Sequence, residues 1–212
     1  MSSNPSTDSW VEQTIAFYNQ NAEHYYRHTI DLDVSHLYAP FLELLPAGAH
    51  VLDAGCGSGR DSLFFLQKGF RVTAFDASAA MVHLASRLTG LPVVQCTFAE
   101  IDFPPEFDAI WACASLLHIA RAEMDQAISR LSRLLKPGGI LFASFKSGSA
   151  EVFRHGRLFN DYDEASFQTL LTRHPDLKRL KLWTNTDVLP DQTETTWLNT
   201  LMQKNNSAPA GG

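Results

Sequence analysis

Residues 51–60, VLDAGCGSGR, set a carboxylate, Asp53, inside an apolar run and follow it with glycines at 55, 57 and 59. An acid in a buried strand is costly unless a partner compensates it, and glycine weakens strands and helices alike. Both choices make sense together where backbone must approach a ligand closely and that ligand carries positive charge. About twenty positions beyond the glycines, Asp76 ends the run FRVTAFD, where a carboxylate can accept hydrogen bonds from both hydroxyls of a ribose. The two features together describe a site for an adenosine-type nucleoside.

Three ligands of that type compete. A phosphate-binding loop needs G-x-x-x-x-G-K-[ST], which the chain lacks. The dinucleotide fingerprint G-x-G-x-x-G/A needs a small residue where this chain has Arg60; a dehydrogenase is therefore the outsider. S-adenosylmethionine bears no phosphate but has an ammonium and a carboxylate. Its positive end explains Asp53, poised to hold the turn amides or, through water, the ammonium.

The elements that must position these residues follow from periodicity. Ser9 and Glu12 have capping-box spacing and predict a helix with an apolar stripe of Val11, Ile15, Tyr18, Ala22 and Tyr25. A second helix is predicted over 34–45, kinked by Pro40 and ended before Pro46. From His50 onward, the strand-like runs HVLDAG, FRVTAFD, PVVQC, FDAIWAC and GILFASFK alternate with helical stretches at 61–68, 78–88 and 121–135. Such alternation implies a parallel sheet with helices on both faces. Gly69 and Gly90 stand where left-handed C-caps are wanted, and Lys136-Pro137-Gly138-Gly139 predicts a tight turn. After a helix near 164–171, LKRLKLWT and TTWLNTLMQK follow with no helix between them. The last strand is therefore expected to return antiparallel.

Composition narrows the functional classes. The chain has 212 residues, is 45% apolar and carries a formal charge of -6, which suits one globular domain and argues against binding nucleic acid over its whole surface. Cys56, Cys96 and Cys113 show no CxxC spacing, and no apolar run reaches about 18 residues. The expectation is a cytoplasmic protein with no membrane contact. No metal constellation stands out: His24 and His28 are spaced four apart but lack further ligands.

The segments VLDAGCGSGR, VTAFDAS, FDAIWACASLLHI and LLKPGGILFASF occur in this order. With them, the chain resembles class I S-adenosylmethionine-dependent methyltransferases over about residues 17–204, nearly all of the folded part, and within that family it is similar to small bacterial enzymes that include tellurite-resistance methyltransferases. The resemblance implies a Rossmann-like, doubly wound seven-stranded α/β sheet, mostly parallel, with an antiparallel last strand between strands five and six. It divides the chain into disordered tails at 1–9 and 204–212 and one domain at 10–203, of which 10–48 form a helical lid and 49–203 the core.

It further implies S-adenosylmethionine as cofactor and S-adenosylhomocysteine as product. Gly55 and Gly57 would contact the methionyl part, with Asp53 behind them and Asp76 on the ribose. Ala77 and Met81 would flank the adenine, while Phe98, Ala99 and Glu100 would lie where the family reads its amino edge, often with an Asp that this chain lacks. Ala112 and Cys113 would border the sulfonium, and Tyr18 and Tyr25 on the lid would reach the cofactor. Arg60 is a candidate partner for the methionyl carboxylate.

His118 is the nearest candidate base, against a reading in which it packs or caps its loop. Cys113 reads as packing rather than as a nucleophile. Lys146, Arg154 and Arg157 form a cationic stretch at the acceptor side and suggest an anionic acceptor, against local pairing with Glu151, Asp161 and Asp163. The leading expectation is methyl transfer to a small molecule. A tRNA or protein methyltransferase and a non-catalytic nucleoside-binding module are the alternatives.

Overall fold

A computed structural model describes residues 7–188 and 194–206, with side chains from residue 10 onward. The helices are α1 (Thr7–Thr29), α2 (Ser35–Leu42), α3 (Arg60–Gln67), α4 (Ala79–Thr89), α5 (Arg121–Leu134) and α6 (Glu164–Thr172). The strands are β1 (His50–Ala54), β2 (Arg71–Asp76), β3 (Val94–Gln95), β4 (Phe107–Ala112), β5 (Leu135–Lys146), β6 (Glu151–Arg154), β7 (Arg157–Asn160), β8 (Leu177–Thr186) and β9 (Thr196–Lys204). A 3-10 turn, Leu116–His118, follows β4.

Seven strands form one sheet in the order β3-β2-β1-β4-β5-β9-β8. The first five pair in parallel, and β9 runs antiparallel to both β5 and β8. The expected doubly wound sheet with its inserted antiparallel strand is what the chain forms. Because crossover helices cover both faces, the central strands are buried throughout: all five residues of β1 are inside, Asp53 among them. One face carries an aromatic stack in which Trp111 lies on Phe142 at 4.0 Å and Phe41 packs on Trp111 at 4.9 Å. The other buries Met124, Ile128 and Leu131 of α5 against Ile110 and Leu141.

Several boundaries depart from the sequence reading. The tails predicted at 1–9 and 204–212 lie partly outside the described residues; where described, they are corrected, because Thr7 already begins α1 and Lys204 closes β9. Backbone hydrogen bonding thus begins two residues ahead of the Ser9 that the capping-box spacing singled out. The KPGG segment makes its turn within a strand, with Gly138 at the positive φ expected of it (77°). It bulges within β5, so that pairing jumps from Phe107 with Leu135 to Ala109 with Ile140, and Lys136 Nζ anchors it on Asp108 at 2.6 Å. The stretch holding Arg154 and Arg157 is a two-stranded hairpin, β6–β7, whose turn residues His155 and Gly156 both have positive φ (49° and 75°). That is the type I′ geometry of tight hairpins.

Gly59 shows why the glycine-rich turn is confined to this sequence. Its φ is +91°, and a Cβ placed on it would lie 2.9 Å from the Ala85 Cα of α4. Gly59→Ala combines left-handed strain with a backbone clash, and should lower stability by about 2–4 kcal/mol. Urea unfolding checks this; a loss below about 1 kcal/mol contradicts the packing.

Candidate functional site

The carboxyl ends of β1, β2, β4 and β5 open into a cavity of about 280 Å³, at the switch point where ligands bind in such sheets. Its roof is α1. Asn19 Oδ1 accepts hydrogen bonds from Ser78 Oγ (2.7 Å) and the Ala80 amide (3.2 Å), fastening α1 over the start of α4. On the other side, the Leu158 amide donates to Thr14 Oγ1 at 3.0 Å, and Trp10 stacks on Phe153 at 6.2 Å between ring centres. The helix is thereby strapped to both α4 and the β6–β7 hairpin.

Two buried aspartates with opposite environments stand below it. Asp61 accepts from Tyr38 Oη (2.5 Å), Trp111 Nε1 (2.7 Å), Arg60 Nε (2.6 Å) and Arg60 Nη2 (3.2 Å). Burial opposes its charge, yet the Arg60 guanidinium and these donors hold its carboxyl below the usual range. Asp53 has a hydroxyl donor, Ser62 Oγ at 2.6 Å, and forms no ion pair among the described residues. Desolvation, then the Asp61 charge, pushes it up to about 8. Asp53 is a buried acid that lacks its cation.

The glycine turn joins the two leading strands. Asp76 accepts the Gly57 amide on one oxygen and the Ser78 amide on the other, each at 2.8 Å. Burial raises its carboxyl while these amides pull it down, and not all of its roughly four acceptor sites are used. Gly57 has φ +53°, and a Cβ on it would point toward the Tyr25 ring, 3.7 Å away. Gly55 answers a different need: a Cβ there would strike Ser115 at 2.6 Å. Only part of the glycine pattern therefore serves a ligand.

At the far end, His118 Nδ1 donates to the Leu158 carbonyl at 2.6 Å, which leaves Nε2 as the acceptor of the Tyr18 hydroxyl at 2.8 Å. Burial is the main cause that lowers the imidazole to about 4, with Arg157 and Lys146 adding to it. The ring is therefore neutral at pH 7. Tyr18 also receives Arg157 Nη1 at 3.4 Å. Burial pushes the Cys113 thiol up to about 12, so it faces the cavity as a neutral group.

Of the residues singled out from sequence, Tyr18, Tyr25, Asp53, Gly55, Gly57, Arg60, Asp76, Ala77, Met81, Phe98, Cys113, His118, Lys146 and Arg157 all border this cavity. Four do not. Strand alternation turns Ala112 to the opposite face from Cys113, into the core with Phe145 and Met124. Ala99 is exposed, and Glu100 folds back to accept from the Thr97 amide and hydroxyl (2.9 and 2.8 Å), so Cys96, Thr97 and Phe98 form the wall instead. Arg154 pairs with Asp161 at 3.3 Å. Arg60 borders the space but turns its Nε and Nη2 to Asp61. Sequence reasoning overlooked Asn19, Ser144, Asn185 and Asn199; a buried asparagine within the apolar alternation of β9 was the available signal for the last.

The residues fit a cationic nucleoside. Gly57 leaves open the space a side chain would fill, Asp53 is a buried acid that a cation beside it would draw into the charged form, and Asp76 keeps acceptor capacity at the ribose position. No group of three or more metal-ligating side chains occurs among the described residues, and no helix there is long and apolar enough to cross a membrane.

Comparison with known proteins places this geometry in context. A family model described as a methyltransferase domain matches residues 51–139. An uncharacterized methyltransferase of Geobacillus kaustophilus is 33% identical over 147 residues, covering 68% of this chain and 66% of that protein. One from Geobacillus thermodenitrificans is 31% identical over 156 residues, covering 69% and 68% respectively. The chain spans about half the length of other curated relatives it matches. Among solved structures, the 1,6-didemethyltoxoflavin-N1-methyltransferase of Burkholderia thailandensis superposes with a TM-score of 0.76 at 23% identity, over 97% of this chain and 93% of that one. That crystal contains S-adenosylhomocysteine and 1,6-didemethyltoxoflavin.

Because His118 titrates near 4 when folded and near 6.5 when unfolded, the unfolded chain binds more protons between these values. Its contribution to stability is full above pH 6.5 and is lost as pH falls toward 4, up to about 3 kcal/mol. Urea unfolding across that window should show a steeper decline in wild type than in His118→Gln. Parallel declines would contradict a buried neutral imidazole.

Proposed function

The chain belongs to the class I S-adenosylmethionine-dependent methyltransferase family, and on that premise we propose that it transfers a methyl group from S-adenosylmethionine to a small-molecule acceptor held beneath α1. The supporting observation is one continuous cavity. It joins the glycine turn with Asp53 and Asp76 at one end to Tyr18, His118, Lys146 and Arg157 at the other. At about 280 Å³ and roofed by a strapped helix, it suits a compact acceptor better than a polymer. The Burkholderia enzyme, whose crystal holds a small heterocycle, supports the same reading.

The cofactor supplies a methyl group already activated on positive sulfur; the chain supplies position and exclusion of water. In this reading Asp76 holds the ribose hydroxyls, with Met81 and Phe98 beside the base. Asp53 faces the cationic end and Gly57 gives backbone access. Tyr25 and Tyr18 close the roof. An acceptor that must lose a proton would pass it to His118 Nε2, directly or through the Tyr18 hydroxyl hydrogen-bonded there. A group held near 4 is a weak base, so its contribution falls at the low end of the usual range.

Three measurements check these assignments. Asp76→Ala should weaken S-adenosylhomocysteine by about 1–3 kcal/mol, while Gly57→Val should abolish binding detectable by calorimetry. Wild-type affinity in either variant removes that residue from the site. His118→Ala should lower kcat by about 10²-fold with the affinity for S-adenosylhomocysteine unchanged; undiminished turnover takes the histidine out of the chemistry. For the reaction itself, methyl-labelled S-adenosylmethionine is supplied with a cell extract separated into small metabolites, tRNA and protein. Label should enter the metabolite fraction. Label confined to a macromolecular fraction would contradict a small acceptor, and S-adenosylhomocysteine binding without any product would reduce the protein to a binding module.

A further inference from the structure

The floor of the cavity beyond Cys113 is built by the antiparallel edge of the sheet. Register places Ser144 opposite Asn199 and Lys146 opposite Trp197, with Trp183 and Asn185 opposite the same two β9 residues. Alternation puts all six side chains on one face, and all but Trp183 border the cavity. Asn199 is fully buried there. Its Nδ2 donates to Asn185 Oδ1 at 2.6 Å, and Asn185 Nδ2 donates in turn to the Thr186 carbonyl at 2.7 Å. This chain fixes which way the Asn199 amide points. Its Oδ1 is left buried with no hydrogen-bond partner among the described residues, which is unfavourable for a buried acceptor.

Arg157 supplies the complementary vacancy. It has no carboxylate partner among the described residues, and its Nε is buried without an acceptor. The guanidinium lies over Phe17 at 4.4 Å and over Phe159 at 5.1 Å. Lys146 and Arg154 approach the same Phe159 ring at 5.1 and 4.5 Å; Arg154 pairs with Asp161, and Asp187, which also borders the cavity, offsets the charge of Lys146. A cavity bordered by a residue with an unsatisfied acceptor and by a planar cation without a carboxylate partner among the described residues is complementary to a particular kind of ligand.

Resting on the methyltransferase reading above, we propose that the methyl acceptor is a compact anion bearing an N–H or O–H group, its charge held by Arg157 and its donor by the Asn199 carbonyl oxygen. The anion is a carboxylate or similar planar oxyanion, for which the guanidinium fork is shaped. Asn199 is then a specificity residue: an analogue lacking the donor leaves its oxygen unpaired.

The test divides a small-metabolite extract on an anion-exchange resin at pH 7.5 and supplies each pool with methyl-labelled S-adenosylmethionine and the whole protein. Label is expected in the retained, anionic pool and not in the neutral and cationic flow-through. Arg157→Gln should raise at least tenfold the amount of retained pool needed for half-maximal labelling, with Arg157→Lys falling between it and wild type. Asn199→Leu should do the same, and both variants should keep wild-type affinity for S-adenosylhomocysteine, which also reports that they are folded. Label entering the flow-through pool overturns the anionic acceptor and leaves the methyltransferase reading standing. Label in neither pool overturns both. Loss of S-adenosylhomocysteine affinity in Arg157→Gln would move the arginine to the cofactor's carboxylate and overturn the assignment.

Discussion

A carboxylate buried without a cation is the constraint from which the rest of this site follows. Asp53 and Asp61 lie beneath the same cavity, yet one is saturated by four donors and the other is left with a serine hydroxyl. The asymmetry has a physical logic. Asp61 is structural: its charge is consumed by Arg60, Tyr38 and Trp111, tying α2, α3 and β4 into one block. Asp53 keeps its demand for positive charge unmet, so a cation arriving beside it gains an interaction that the protein alone cannot supply. A ligand that is a nucleoside at one end and a cation at the other meets Asp76 and Asp53 together.

Enclosure follows from how α1 is fastened. Its polar residues Asn19 and Thr14 bond α4 and the hairpin, while Tyr18 reaches inward to His118. The same helix thus covers the nucleoside end and completes the acceptor end, so that exclusion of water and alignment of reactants depend on one element. Gly156 at the hairpin tip permits this closeness: a Cβ there would lie 3.0 Å from the Phe17 ring of α1.

Much of this was legible in the sequence, for identifiable reasons. The alternation of strand and helix runs carried the parallel sheet, and the missing helix before TTWLNTLMQK announced the antiparallel return that β9 makes. Asp53, Asp76 and the glycines stood out because each violates local propensity, and a residue that does so needs a tertiary reason. What stayed hidden depends on register and long-range contact. Spacing alone could not show that Arg60 turns to Asp61, that Ala112 faces away from Cys113, or that Glu100 closes its own turn. The β6–β7 hairpin was masked by its charges, which read as a cationic stretch or as local ion pairs although Leu158 and Phe159 are buried. Asn199 became informative only when its cross-strand partners were known.

The pairing of Asp53 with a cationic ligand is most directly tested by counting protons. Calorimetric titration with S-adenosylhomocysteine at pH 7, in buffers of different ionisation enthalpy, reports the protons exchanged on binding. With Asp53 raised to about 8 in the free protein, binding should release close to one proton from wild type and none from Asp53→Asn. No release from wild type, or the same release from the variant, would contradict the account.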